Sequence, residues 1–254
     1  MISVCIATYN GEKFIKQQLT SILEQLAPAD EIIVSDDNSK DNTRNIIEEL
    51  NDGRIKIIDG PGMGSPTKNF EQALKHAKGD YIFLADQDDV WKEGKVSTCM
   101  KYLKDYCCVV SDATVTDGDL KETSSSFFKL NNTKYGKWYN LLLKNGYLGC
   151  CMAFRKELLN AAIPFPEDTL CMTSGLEMSQ HSNLMYASYP KCLFLFRMTW
   201  AQQFVNSKKK APLVKRQNKF QVCDMQRPHK TVTDNRNDVL LHLKYSKICS
   251  KYLF

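Results

Sequence analysis

The chain lacks several features that would place it at once. No apolar run in its 254 residues approaches the ~18 that a membrane span needs. The start, Met1-Ile-Ser-Val, has no basic stretch leading into a signal core and enters a strand pattern directly, so export is not expected and a cytoplasmic location is. The ten cysteines form no C-x-x-C pair. Their close spacings are Cys107-Cys108 and Cys150-Cys151, which is not a zinc-site pattern, and free buried thiols are the expectation. G-x-G-x-x-G and G-x-x-x-x-G-K-[ST] are absent, so no loop is expected to cradle phosphates through backbone alone. Zinc-finger spacing, RNP-like aromatic motifs and basic heptads are absent as well, so no nucleic-acid partner is expected.

What is present reads as a soluble globular protein, with 43% hydrophobic and 25% charged residues. The length suits one large α/β domain or one and a half smaller ones. The net charge of +5 is unevenly spread: residues 1–127 carry −8 and residues 128–254 carry +13. The basic half, with Lys208-Lys-Lys210 and Lys215-Arg216, would suit anionic lipid or an anionic substrate, or simply a solvated surface.

The first 111 residues alternate between strand and helix patterns. Ile2–Ala7 is a short, nearly continuous apolar run, as in a strand covered on both faces. Ile15, Leu19, Ile22, Leu23 and Leu26 then recur at helical spacing until Pro28. Glu31–Ser35, Arg54–Ile58, Tyr81–Ala85 and Cys107–Ser111 read as further strands. Helices are expected over Asn42–Leu50, from the Gly60–Pro66 turn to Lys78, and over Lys95–Asp105. Such repetition predicts a mostly parallel sheet with right-handed crossovers, whose ligands sit beyond the carboxyl ends of the strands. Residues 118–136 read as a loop or lid, Trp138–Lys144 as a helix, Gly146–Phe154 as a buried strand, and Lys156 to about Ala162 as a short helix.

Three polar clusters fall at those carboxyl ends: Thr8-Tyr9-Asn10, Ser35-Asp36-Asp37 and Asp86-Gln-Asp88. Asp86, Asp88 and Asp89 end an apolar run, where like charges repel and lose hydration, so a positive group is expected among them. Hard carboxylate oxygens suit Mg²⁺ or Mn²⁺, which grip substrate phosphates. A helix-capping role for Asp86 or Asp88 is the plainer alternative, and the second acidic cluster weighs against it. Asp36 and Asp37 would accept hydrogen bonds from a nucleobase or a ribose, or form an Asx turn. Lys68 stands just ahead of the third helix and can add positive charge there.

The segments VCIATYNGEKFIKQQLTSILEQ, EIIVSDDNSKDNT, KNFEQALKHAKGDYIFLADQDDVW and GCCMAFRKELL resemble the family 2 glycosyltransferases of GT-A fold. Bacterial rhamnosyltransferase-type enzymes of capsule or cell-wall polysaccharide are the nearest in kind. The likeness covers roughly residues 2–168. It implies a GT-A domain over residues 1–165 and an acceptor-side region with a basic tail over residues 166–254. It also implies a nucleotide-diphosphate-sugar donor held by Thr8, Tyr9, Asn10, Asp36 and Asp37, with Lys68, Asn69 and Asp86 assisting. Asp86 and Asp88 would bind Mg²⁺ or Mn²⁺, and the Gly149-Cys-Cys segment would line the side of a polysaccharide or lipid-linked acceptor. Contact with the inner face of the membrane is a further expectation.

The likeness fails after Pro164-Phe-Pro, where such enzymes carry a His-Asp-x-Trp stretch holding the general base. No catalytic base is identified. Back-translated one base early with permitted codons, Leu170 to Met178 reads Met-His-Asp-Gln-Trp-Ile-Gly-Asn. A second shift, from the middle base of the Thr199 codon, reads His-Gly-His-Asn-Asn, similar to the family's ending. Between them PKCLFLFR, residues 190–197, fits in the given frame. Residues of about 171–189 and 198–204 are therefore read as translated out of frame, with a poorly packed C-terminal third expected as written; real divergence in a mobile acceptor region is the alternative, and codons unable to yield the shifted motifs would refute the frameshift. A nucleotide-sugar-binding protein without turnover is the rival reading. A nucleotidyltransferase is a third, but it wants a Gly-rich basic loop after the first strand, and Ala7–Glu12 is not one.

Overall fold

Four short apolar runs build the first half of the sheet: β1 (Ile2–Thr8), β2 (Glu31–Asp36), β3 (Ile55–Asp59) and β4 (Tyr81–Asp86). The computed structural model describes residues 1–133 and 147–165, and the backbone of 186–197. These strands are parallel in the order β3-β2-β1-β4. Val4, Cys5 and Ile6, Ile32, Ile33 and Val34, and Ile82, Phe83 and Leu84 are fully buried, so β1, β2 and β4 are covered on both faces, as their unbroken hydrophobicity predicts. Helices α1 (Ile15–Leu23), α2 (Thr43–Glu49) and α3 (Pro66–Lys75) make the crossovers. Pro66 at the first turn and the Ser65 side chain on the Lys68 amide start α3 where the sequence turns from glycine to helix formers.

Past β4 the sheet becomes mixed. β5 (Val90–Trp91), α4 (Lys95–Tyr102), β6 (Cys108–Thr116), β7 (Glu122–Ser124), α5 (Phe127–Leu130), β8 (Met152–Arg155), α6 (Lys156–Ala162) and β9 (Tyr186–Arg197) follow. The order is β3-β2-β1-β4-β8-β6-β9-β5, with β7 added on β6. β8 runs antiparallel to both β4 and β6, and β9 runs parallel to β6. No helix among the described residues is long and apolar enough to cross a membrane.

Several expectations shift. The segment expected as a loop or lid contains β7 and α5, because β6 pairs with β7 and its Asp112 reaches over to hold the start of α5. Its carboxylate accepts Ser126 Oγ at 2.5 Å and the Phe128 amide at 3.0 Å. Low intrinsic propensity there is overridden by a tertiary contact. Gly149–Cys151 is a 3₁₀ turn leading into β8 rather than part of one long strand. Strand β9 contains PKCLFLFR and carries the sheet past residue 165. The helix expected over 138–144, residues 171–185 and 198–204, and the basic segments lie outside the described residues. All six cysteines with described side chains are free and buried, as expected: Cys5, Cys99, Cys107, Cys108, Cys150 and Cys151.

Arg54, just before β3, anchors the end of α1. Its Nη1 donates to the Leu26 and Leu23 carbonyls at 2.7 and 3.1 Å, satisfying acceptors that the helix end leaves open. Hydrogen bonds from Arg54 hold the Asp52 carboxyl down at about 2. Arg54→Met is expected to lower stability by about 1–3 kcal/mol, and Asp52→Asn by less than about 1 kcal/mol, in urea unfolding at neutral pH. Equal losses would mean the carbonyl contacts are idle. The Asp52 contribution is complete above the ordinary carboxylate range and is lost as the pH falls towards about 2, because the depressed carboxyl must be protonated.

Candidate active site

The parallel ladders set Thr8, Asp36 and Asp59 level with one another, and Ala7 opposite Asp86. The three predicted clusters therefore share one rim. Thr8 is its hub. Its Oγ1 donates to Asp36 Oδ1 at 2.9 Å, and its carbonyl accepts the Asp37 amide at 2.9 Å and Asn69 Nδ2 at 3.1 Å. Asp36 is buried and also accepts Ser39 Oγ at 2.5 Å, with Arg44 Nη1 at 3.6 Å. Much of its hydrogen-bonding capacity is therefore spent on building the rim.

Asp37 organises the glycine loop. Its two carboxylate oxygens accept the Gly62 amide at 2.6 Å and the Gly64 amide at 2.8 Å. Both glycines have positive φ, +68° and +63°, which lets their N–H groups turn back onto the carboxylate. Asn69 is buried beside this loop, and its Oδ1 has no hydrogen-bond partner among the described residues. Lys68, by contrast, is engaged: its Nζ lies 3.0 Å from Glu71 Oε2. Burial pushes the Glu71 carboxyl up, but hydrogen bonds from Lys75 and Lys68 outweigh this and hold it below its ordinary value.

Tyr9 is exposed at the mouth, and its backbone pairs with the Gln87 side chain. The Tyr9 amide donates to Gln87 Oε1 at 2.9 Å and Gln87 Nε2 donates back to the Tyr9 carbonyl at 3.1 Å. The pair continues the β1–β4 ladder by one side-chain step. Asn10 accepts the Lys40 amide at 2.8 Å and ties the first loop to the second.

The acidic loop is held from behind by α1. Gln18 Nε2 donates to the Asp86 carbonyl at 2.8 Å, Ser21 Oγ accepts the Trp91 amide at 3.0 Å, and Gln25 just past the helix bridges the Lys92 carbonyl and the Val96 amide. Asp86 and Asp88 are partly exposed, whereas Asp89 is buried. Ligand atoms of Asp86, Asp89 and Cys150 lie within 4.8 Å of one another, and Asp88 stands outside that group. Burial pushes the Asp86 carboxyl above its ordinary value, against a hydrogen bond from the Cys150 thiol and the charge of Lys95. Burial also pushes the Cys150 thiol well up, with the Cys151 thiol and the neighbouring carboxylates adding to it. Cys150 is thus a neutral thiol that donates to Asp86.

The positive group expected among these acids is Lys95, which the sequence reading did not single out. It is fully buried, its Nζ donates to the Cys150 carbonyl at 2.9 Å, and it lies 4.4 Å from the Trp91 ring centroid; burial pushes its pKa below the ordinary value, and the nearby thiols and Asp89 act against that. A signal was present: a lysine at the first position of a helix opposes the helix dipole and needs another reason to be there. Gln18 and Gln25 were missed as well, although they interrupt the apolar spacing of α1.

A parallel half-sheet with acidic and polar strand ends on one rim, followed by a mixed half, is the GT-A glycosyltransferase architecture. A *Staphylococcus aureus* TarS fragment in complex with UDP superposes with a TM-score of 0.61 at 22% identity, over 80% of this chain and 62% of that one. PcManGT, a mannosyltransferase from *Pyrobaculum calidifontis* in complex with GDP-Man and Mn²⁺, does so with a TM-score of 0.58 at 20% identity, over 83% and 65%. The model of glycosyl transferase family 2 matches residues 3–162, and the chain belongs to that family. It is 28% identical over 173 residues to the *Escherichia coli* glucosyltransferase WfgD, covering 65% of this chain and 64% of that one. It is 41% identical over 105 residues to the *Shigella flexneri* dTDP-rhamnosyl transferase RfbG, covering 39% and 36%. The chain spans less than two thirds of the length of each of these four proteins.

Gly60 is where loop and rim meet. A methyl group there would come within 2.6 Å of Asn69 Oδ1 and 2.9 Å of the Asp36 carbonyl oxygen. Gly60→Ala is expected to cost about 1–3 kcal/mol of stability, while Gly53→Ala, with open space around it, should cost far less. Thermal unfolding of the two variants side by side measures the difference.

Proposed function

We propose that the chain transfers a sugar from a nucleotide-diphosphate-sugar to a polysaccharide or lipid-linked acceptor, with inversion, in cell-surface polysaccharide synthesis. The observation that carries this reading is the gathering of Thr8, Asp37, Asn69 and Asp86 on one rim of a parallel sheet. WfgD is described as acting on a diphosphoundecaprenol-linked sugar, which supports a lipid-linked acceptor here. Thr8, Tyr9, Asn10, Asp36, Asp37, Lys68, Asn69 and Asp86 form the donor site in this reading, within residues 1–165. The unpartnered Asn69 Oδ1 is an acceptor waiting for a hydroxyl or imide donor of the nucleotide. The remaining lone pairs of Asp37, held in place by two amides, suit the same task.

The donor set at the acidic loop fits a hard divalent cation, Mg²⁺ or Mn²⁺. In this reading Asp86 and Asp88, both on partly exposed residues, supply the oxygens, while the soft Cys150 sulfur is kept neutral. Such an ion supplies neutralising charge for a leaving diphosphate. The residues themselves position: Gln18 and Gln87 fix the loop, and Tyr9 borders its mouth. Asp112 is spent on α5 and is not offered as the base. Residues 166–254 are assigned to the acceptor side, and their basic segments to the inner membrane face.

Titration of UDP and of dTDP with Mn²⁺ and with chelator tests the reading. Binding of one nucleotide is expected to strengthen with Mn²⁺. In Asp86→Ala/Asp88→Ala that gain is lost, at least about tenfold in affinity, or roughly 1.4 kcal/mol. No binding of either nucleotide, or a double variant that binds as tightly as wild type, overturns it. The absence of His-Asp-x-Trp after Pro164-Phe-Pro favours a second reading, a protein that binds the donor without turnover. Loss of a positioned base costs ~10²–10⁴ in rate, so Mn²⁺-dependent donor turnover at an undiminished rate would exclude that reading.

A further inference from the structure

A lysine with no exposed surface is rare, because removing an ammonium from water is costly unless other groups replace the hydration. Lys95 gains little from its helix. It opens α4 behind Gly94, whose φ is +76°, at the end where the dipole repels a cation. Its surroundings come from elsewhere in the chain: the Cys150 carbonyl 55 residues on, and the Trp91 face beneath it. Asp89 and the thiols of Cys99, Cys150 and Cys151 are buried as well, and all four lie near enough to act on its charge.

Asp86, Asp89 and Cys150 alone would make a mixed carboxylate–thiol group able to take a soft or borderline ion. From the hydrogen bond to Cys150, the stacking on Trp91 and the burial beside Asp89, we propose that Lys95 is a positioning residue, the built-in cation of the acidic loop. Its ammonium fills the inner, sulfur-lined side of the group, so that a divalent ion is received on the outer, oxygen-only side at Asp86 and Asp88. The inference rests on the metal-dependent donor site proposed above. It adds that Lys95 fixes which face of the loop the ion meets, and that it joins the loop to the Gly149–Cys151 turn without touching substrate.

Cobalt reports the difference without turnover, since thiolate ligation gives a sulfur-to-cobalt charge-transfer absorption that oxygen ligation lacks. The full chain is titrated with Co²⁺ in the presence of UDP or dTDP, whichever binds. Wild type is expected to take up one ion per chain with no sulfur band. Lys95→Met, close in length but without charge, is expected to develop the band, and Lys95→Met/Cys150→Ala to lose it. A sulfur band in wild type overturns the inference. So does a folded Lys95→Met, checked by circular dichroism, that binds cobalt with no band. Should Lys95→Met fail to fold, the wild-type spectrum still decides between oxygen and sulfur. Failure of wild type to bind cobalt at all with either nucleotide removes the metal-dependent donor reading, and this inference with it. Sulfur ligation in wild type removes only the assignment of Lys95.

Discussion

Carboxylates placed at the ends of buried parallel strands must find donors, and this requirement organises the whole rim. Each acid meets it differently. Asp36 takes hydroxyls from Thr8 and Ser39, Asp37 takes two glycine amides, Asp86 takes a thiol, and Asp89 is buried near the Lys95 ammonium. The result is a set of oxygens fixed in direction before any ligand arrives. Preorganisation of this kind lets a binding site gain affinity without ordering itself at the moment of binding.

The donors also stitch sequence-distant segments together. Asp37 makes the glycine loop part of the β2 end, Asn69 makes α3 part of the β1 end, and Lys95 makes α4 part of the turn before β8. Helix α1 and the residue just past its end contribute Gln18, Ser21 and Gln25 to the back of the acidic loop. Polar side chains there look like breaks in an amphipathic pattern. They are the price of holding a loop that has few backbone partners of its own.

The strands and their acidic ends were legible because each rests on local chemistry: continuous β-branched runs, turn residues, and carboxylates at a fixed offset. The family resemblance was legible for the same reason, since its motifs are strand ends. Lys95 was not, because its meaning depends on the antiparallel pairing that brings β8 beside β4 and so lays Cys150 over it. β7 and α5 were missed because β6 holds them, β7 by antiparallel pairing and α5 through Asp112, and nothing within residues 118–133 announces those contacts. The split between Asp88 on the open side and Asp89 on the buried side was likewise invisible, since adjacent acids read alike in a sequence.

Strand β9 pairs through its backbone with both β6 and β5, matching Val90 to Leu195 and Trp91 to Phe194. The acidic loop is therefore flanked by a strand whose partner is made about a hundred residues later. During synthesis β5 and β6 wait with open edges until the ribosome has delivered that partner, and open edges recruit other chains. A polypeptide released before it would carry the entire parallel half-sheet and still be liable to aggregate.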